Sequence, residues 1–297
     1  MIKRYKHVIY SFIALAILVS CESEIDINLP PPETLVVVDA TIENGQYARV
    51  AVTKTAPYFD TISVATLSGI FINDALIILT DGLVSDTLTL TIDPTQFPPI
   101  YYKGNNPALI GQEWKKYWLT VYALDDTLTA STTIPGVVPV DSLRWKQFGN
   151  DDSLGLGAIF FKEPDTLGNC YNLQAKRQGY PYYVNIPGQS LSNDVLANGQ
   201  YIEFTVPRPK ATPSWFNTAT GDTTNQASGI FFSRGDTISV KLSSIDYASF
   251  QFLKTYSSAA GSFGNPFSAP TFVLGNINGG LGGFVGIGAC YATYIVP

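Results

Sequence analysis

The sequence predicts an all-β protein with two β domains. The first is an Ig-like or transthyretin-like sandwich, the second a β-sandwich or barrel carrying one helix. Three observations point there. Only 14% of residues are charged while 13% are aromatic, and 25 Gly and 19 Pro are spread through a chain rich in Thr, Val, Ile, Tyr and Phe. β-Branched and aromatic side chains fit a pleated, half-buried surface, and Gly and Pro punctuate turns between short strands. Several stretches alternate apolar with polar residues at period two. Finally, Asp-Ser/Thr-Leu/Ile recurs at Asp60, Asp86, Asp126, Asp141, Asp152, Asp165 and Asp236. An Asp side chain completes a turn before the next residues enter a sheet, so the tripeptide reads as a strand start, and its irregular spacing excludes a solenoid repeat.

The first element is an export signal. Lys3, Arg4 and Lys6 precede an apolar run from Val8 to Val19, which is too short to span a bilayer as a helix. Leu18-Val19-Ser20-Cys21 then follows the bacterial lipobox pattern, which makes residues 1–20 a signal peptide and Cys21 the lipidation site. Diacylglycerol on the thiol and an acyl chain on the new amino group would anchor the chain. At about 0.8 kcal/mol per buried methylene, three chains hold a protein on a membrane essentially permanently. An ordinary cleaved signal ahead of a cysteine is the alternative. Residues 21–33 read as a tether, acidic at Glu22, Glu24 and Asp26 and stiffened by Pro30-Pro31-Pro32.

Strands begin at Thr34. Leu35 to Ile42 is a continuous apolar run suited to a strand covered on both faces. Ala48, Val50 and Val52 alternate with Arg49, Ala51 and Thr53. Ala75 to Leu79 and Leu83 to Ile92 pair about Asp81-Gly82, and Tyr117 to Leu124 pairs with Thr127 to Ile134 about Asp125-Asp126. Pro135-Gly136-Val137-Val138-Pro139 breaks the pattern, so the domains are placed at 34–136 and 137–297. Further strands are expected near 141–148, 156–162, 171–177, 201–206, 237–242 and 287–296. Between them, Ser243 to Asp246 opens a helix whose Ile245, Ala248, Phe252 and Tyr256 share a face, positioned to seal an end or flank of the second sheet.

Composition excludes several chemistries. The single histidine and single methionine are His7 and Met1, both in the signal, so the mature chain has neither. Ser-His-Asp and Cys-His sites cannot be built, nor the common zinc sites. No metal or cofactor is expected, and the chain reads as non-enzymatic. Without the signal the chain carries 15 Lys and Arg against 24 Asp and Glu, with no basic run, which argues against nucleic acid. Cys170 and Cys290 are a possible disulfide or two separately buried thiols. Alternation places Cys170 beside Asn172, Gln174 and Lys176, on the wetter face of its strand.

Other motifs have structural explanations. The segment Asn276-Ile-Asn-Gly-Gly-Leu-Gly-Gly-Phe284 lacks the Lys-Ser/Thr and helix of a phosphate loop, and its glycines permit sharp bends and close backbone approach. Arg234-Gly235-Asp236 reads as turn chemistry before a strand. Asp125-Asp126 and Asp151-Asp152 could serve a calcium site or a glycosidase, but adjacent turn aspartates are usually solvated. Aromatic residues remain as candidates for ligand or partner binding: Tyr180, Tyr182 and Tyr183 around Pro181, and Trp215-Phe216. They could equally pack over the ends of a sandwich.

Asn265-Pro266-Phe267, Pro270, Asn276-Ile277 and Gly279-Gly280-Leu281-Gly282 resemble the C-terminal signature of the Bacteroidetes domain-of-unknown-function family 4249. Asp194-Val-Leu-Ala-Asn198-Gly199, Gly235-Asp236 and Ser244-Ile245-Asp246 are similar to its internal motifs, while Gly283-Phe284-Val285-Gly286 follows the usual pattern loosely. The resemblance implies an outer-membrane lipoprotein with no assigned catalytic residue, accessory to uptake or envelope assembly. The membrane, through the lipid, and a TonB-dependent transporter are then the expected partners. The acidic run beside Cys21 resembles the signal that sends Bacteroidetes lipoproteins to the cell surface, so surface display is expected ahead of a periplasm-facing position. A glycan-binding surface lipoprotein and an envelope glycosidase are the alternatives.

Overall fold

Val36–Glu43 (β1) buries every second residue, as a strand with one dry face must, and Arg49–Lys54 (β2) beside it buries Val50, Ala51 and Val52 in succession. The computed structural model describes residues 33–56, 69–149, 151–186, 188, 190–209, 229–262, 269 and 271–297. After β2 come β3 (Leu76–Thr80), β4 (Ser85–Thr87), β5 (Thr89–Ile92), β6 (Ile100–Lys103), a 3-10 turn at Pro107–Leu109, β7 (Lys116–Ala123) and β8 (Asp126–Thr133). Then follow β9 (Ser142–Phe148), β10 (Asp151–Lys162), β11 (Cys170–Lys176), β12 (Val184–Asn185) and β13 (Leu191–Asn193). β14 (Tyr201–Val206), β15 (Phe232–Ser233), β16 (Thr237–Ile245), helix α1 (Tyr247–Ser262), β17 (Ile277–Asn278) and β18 (Leu281–Ile295) complete the order.

The protein is all-β, with sandwich-like sheets. A nine-stranded sheet runs β12-β11-β16-β18-β1-β2-β6-β5, with β13 also on β11. A five-stranded sheet, β17-β8-β7-β3-β4, covers one part of it, and a four-stranded sheet, β14-β10-β15 with β9 on β10, covers another. The first core joins Val36, Val38, Ala40, Ile42 and Phe284 to Ile77, Leu79, Tyr117, Leu119 and Leu128. The second joins Tyr171, Leu173, Val240, Leu242 and Val296 to Leu143, Ile159, Phe161, Val206 and Phe232. Each fully buried Val, Leu, Ile or Phe among them contributes roughly 1.5–3 kcal/mol.

The expected strands need local corrections. β1 is half-buried, not covered on both faces: Asp39 is exposed and Val37, Thr41 and Glu43 are partly so. The run from Leu83 to Ile92 splits at the buried Leu88, β4 pairing with β3 in one sheet and β5 with β6 in the other. The β7–β8 hairpin turns at Leu124 and Asp125, with φ of 50° and 66°, so Asp126 is already paired with Ala123. Tripeptides starting at Asp126, Asp141, Asp152 and Asp236 lead into or begin strands, Asp86 and Thr87 end β4, Asp165 stays in a loop, and Asp60 lies outside the described residues.

Residues 34–297 form one compact unit. The break at Pro135 to Pro139 separates the two cores but not the sheet, because β18 belongs to both. It pairs in parallel with β1 from Leu281 to Ile287 and antiparallel with β16 from Ile287 to Ile295. Where β16 is missing, the N–H groups of Phe284 and Gly286 donate to Asn276 Oδ1 (2.7 Å) and Thr132 Oγ1 (2.8 Å). Where β1 has ended, Ala289 N–H donates to Asn44 Oδ1 (2.6 Å). The glycine-rich segment therefore starts a central strand. A Cβ on Gly288 would lie 2.4 Å from Pro135 O, so the interdomain link can cross the strand only at glycine.

Helix α1 lies on the opposite face of the long sheet. Phe250 and Phe252 pack with Cys170, Ile245 and Val285, and a Cβ on Gly283 would strike the Phe252 ring. The expected helix face is corrected: Ala248 and Tyr256 are exposed, Ile245 is still in β16, and Ser249 is buried with the two phenylalanines. Asp246 is the cap. Its Oδ1 accepts from Ser249 N–H (2.8 Å), and its Oδ2 accepts from Thr132 Oγ1 (2.9 Å) and Thr133 N–H (3.2 Å). The covered end of β11 includes Cys170 and Asn172, so the wetter face begins only at Gln174. No helix among the described residues is long and apolar enough to cross a membrane.

Asp246→Ala should destabilise the fold by about 3 kcal/mol, since it removes a helix cap and two charge-assisted bonds to the other sandwich. Asp246→Asn retains an acceptor for Ser249 and should cost about 1 kcal/mol. Denaturant titration checks both; an Asp246→Asn protein as stable as the unmodified one would mean that the charge carries nothing.

Candidate functional site

Beyond α1, the outer face of the long sheet is open and polar. Cross-strand register aligns Asn185 of β12, Gln174 of β11, Lys241 of β16 and Tyr291 of β18 in one row. The long side chain of Glu43, the last residue of β1, reaches the same row. One carboxylate oxygen pairs with Lys241 Nζ at 2.5 Å, and the other accepts a hydrogen bond from the Tyr291 hydroxyl. Lys241 Nζ also lies 5.6 Å from the centre of the Tyr291 ring, which closes the triangle.

Tyr183 extends this cluster. Its ring meets Tyr291 edge-on with centroids 5.5 Å apart, and Lys176 Nζ sits 5.1 Å from the Tyr183 centroid. Tyr291 is 51% exposed, while the Lys241 and Glu43 side chains are 11% and 14% exposed. The ions are thus largely desolvated beneath an accessible phenol. Burial raises the Tyr291 pKa, and the Glu43 carboxylate raises it further; Tyr183 is raised by burial first and Glu43 second. One row nearer the helix, Asn172 Oδ1 and Ser243 Oγ face the same side and are buried without a hydrogen-bond partner among the described residues.

Of the aromatics expected to bind, Tyr183 belongs to the cluster. Tyr180 and Tyr182 stack edge-on with each other at 6.4 Å, and Trp215 and Phe216 lie outside the described residues, as does Cys21. Tyr291, Lys241 and Glu43 were not singled out from sequence; each occupies an ordinary polar position in a strand, and Glu43 is 248 residues from Tyr291.

The possible Cys170–Cys290 disulfide is absent, and both thiols are free. Cys170 pairs with Ile245 and Cys290 with Leu242, on opposite sides of β16. Two strand spacings put their backbones roughly 10 Å apart before the offset along the strand, beyond the reach of about 4.4–6.8 Å between Cα atoms. Burial, with Asp194 and Asp246 adding to it, pushes the Cys170 thiol up to about 11.

The acidic motifs have structural surroundings. Asp125 and Asp126 line an open cavity of about 320 Å³ with Asp74, Leu76 and Tyr122. Asp194 Oδ2 accepts from Gly168 and Asn169 N–H, and the fully buried Glu163 accepts from Tyr171 hydroxyl, Asn169 and Gly199 N–H. On the outer face of the five-stranded sheet, Trp118 and Tyr122 are 41% and 43% exposed. Asp151 and Asp152 begin β10.

A family model described as Domain of unknown function (DUF4249) matches residues 22–289. No curated protein matches the chain.

The raised Tyr291 pKa has a definite sign. The folded state holds the phenolic proton more tightly than the unfolded state, whose value is near 10.0. The linked stability is therefore fully present below pH 10 and is lost as pH rises toward the folded value. Tyr291→Phe should flatten the alkaline loss of stability and remove one late event from the ultraviolet tyrosinate titration. An unchanged alkaline slope would show that the phenol is not held by Glu43.

Proposed function

The chain belongs to the DUF4249 family, and from that membership, the Cys21 lipobox and the tyrosine–lysine cluster we propose that it is a non-enzymatic, lipid-anchored binding protein of the outer membrane. Its partner in this reading is a TonB-dependent transporter, and its role is accessory to uptake or envelope assembly. The observation that carries the binding part is the Glu43–Lys241–Tyr291–Tyr183 constellation. An accessible aromatic pair rests on a desolvated ion pair; Tyr291, Lys241 and Glu43 stand on three strands, and Tyr183 stands in the loop just before β12. Aromatic residues with fixed orientation are the usual anchors of protein interfaces. The lipid confines both partners to one surface, which raises their effective concentration, and the acidic tether favours display at the cell surface.

A second reading, binding of glycan at the surface, draws on the exposed Trp118 and Tyr122, which share the outer face of β7. Specific retention on a polysaccharide, lost in Trp118→Ala, would favour it over the transporter.

Cys21→Ser should leave the melting temperature unchanged and release the protein from outer-membrane fractions. A variant still bound after a high-salt wash would remove Cys21 as the anchor. With the anchor intact, crosslinked pull-down from native membranes should recover a TonB-dependent transporter. The double change Tyr183→Ala and Tyr291→Ala should lower that recovery several-fold. Equal recovery from both proteins would remove the cluster from the interface.

A further inference from the structure

The outer face of the long sheet carries a second charged cluster, on the β1–β2–β6 side. Asp39 and Thr41 of β1, Arg49 of β2, Tyr101 of β6 and the Phe97-Pro98 segment line a cleft of about 120 Å³. The Arg49 guanidinium is fixed twice: its Cζ lies 4.0 Å from the centre of the Tyr101 ring, and its Nη1 donates to Gln96 Oε1 at 3.3 Å. Its Nε is buried and has no hydrogen-bond partner among the described residues. With Nη1 occupied, the Nε–Nη2 edge is the remaining fork; Nε is enclosed, so a small shift of the side chain must uncover it before that edge can take a carboxylate through two parallel hydrogen bonds. An arginine already stacked and tethered loses little freedom when it binds.

Asp39 is the carboxyl that supplies the opposite charge: burial raises its pKa, the Arg49 guanidinium lowers it, and a bound ammonium would lower it further. It pairs in register with Ala51, and Arg49 pairs with Thr41, so Asp39 and Arg49 are diagonal neighbours on one face. Such neighbours have Cβ atoms within about 7–8 Å of each other. A long side chain can cross that distance, but no direct ion pair joins Asp39 and Arg49 among the described residues, which leaves room for a small dipolar group to bridge them. The cleft holds the equivalent of about four waters at ~30 Å³ each, which suits a head group and not a drug-sized ligand. Phe97, 57% exposed, adds apolar surface to the cleft.

We propose that this cleft binds the zwitterionic head of a free α-amino acid, with the carboxylate on the Arg49 fork and the ammonium on Asp39. An apolar side chain on the ligand would lie against Phe97. The site is distinct from the tyrosine cluster, so the transporter reading and this one fail independently.

The test is calorimetric titration of the full mature chain with L-leucine and two matched probes. 4-Methylpentanoate is leucine without its ammonium, and 3-methylbutylamine is leucine without its carboxylate. Leucine should bind saturably, at least tenfold more tightly than either probe. Arg49→Met should abolish leucine and 4-methylpentanoate binding, and Arg49→Lys, which keeps the charge without the fork, should weaken leucine at least tenfold. Asp39→Asn should bring leucine down to the level of 4-methylpentanoate and leave the latter unchanged. Thermal melts identify any variant that fails to fold, and the probe comparison on the unmodified protein stands without them. Absence of saturable leucine binding overturns the proposal. So does 4-methylpentanoate binding as tightly as leucine, which would reduce the cleft to a simple anion site.

Discussion

Everything in this fold leans on β18 serving two sandwiches at once. A buried strand must have its N–H and C=O groups bonded along both edges, because an orphaned buried group costs about as much as a lost hydrogen bond. β1 covers one edge of the first half and β16 the other edge of the second half. The edge positions left over at Phe284, Gly286 and Ala289 are completed by side chains of Asn276, Thr132 and Asn44. Polar side chains reach those rungs because the strand has glycine at 282, 283, 286 and 288, so neighbouring chain passes close to its backbone. The glycines are thus a consequence of the topology and serve no phosphate.

The shared strand also explains why the division near Pro135 is real in one sense and not in another. Side chains segregate into two apolar cores, as they would in two domains. Backbone pairing does not segregate, and Asp246 ties the helix cap to β8 on the far side of the break. Pulling the sandwiches apart would expose one edge of β18 and break that carboxylate's bonds together. Two cores joined in this way form one cooperative unit, and the outer face of the long sheet stays a single surface on which separate polar clusters keep fixed positions.

Much of this could be read in the residues, and the exceptions have physical reasons. Period-two burial marks β7 and β8, whose side chains alternate between core and solvent; β1 shows in the sequence instead as a continuous apolar run, and β2, β11 and β16 bury residues on both faces over part of their length. β18 was found only from residue 287 onward, since glycines have no side chain with which to display a period. The split at Leu88 was hidden because a strand that changes sheets keeps its alternation, with one buried leucine common to both patterns. The helix face was misplaced by taking Ser243 as the cap. With Asp246 in that role the register shifts, and the polar Ser249 enters the buried stripe. Loop aromatics drew attention to Tyr183, but its partners Tyr291, Lys241 and Glu43 come together only through the long-range pairing of β1, β18 and β16. Arg49 looked like an ordinary solvent-facing strand residue until Tyr101 and Gln96 were placed around it.

The electrostatics of the tyrosine cluster argue for rigidity over stability. Desolvating an ion pair such as Glu43–Lys241 costs about as much as the pair returns, and apolar residues of similar size would commonly stabilise the sheet at least as well. What the pair does supply is orientation. One carboxylate oxygen fixes Lys241, the other fixes the Tyr291 hydroxyl, and Lys241 lies over the ring that hydroxyl belongs to, so no member can move alone. Immobilising a flexible side chain on binding costs roughly 0.5–1.5 kcal/mol. Here that ordering is completed during folding, before any partner arrives. An exposed phenol held in this way meets a ligand or a protein surface in its final geometry, and the desolvated ions below it contribute by holding it there.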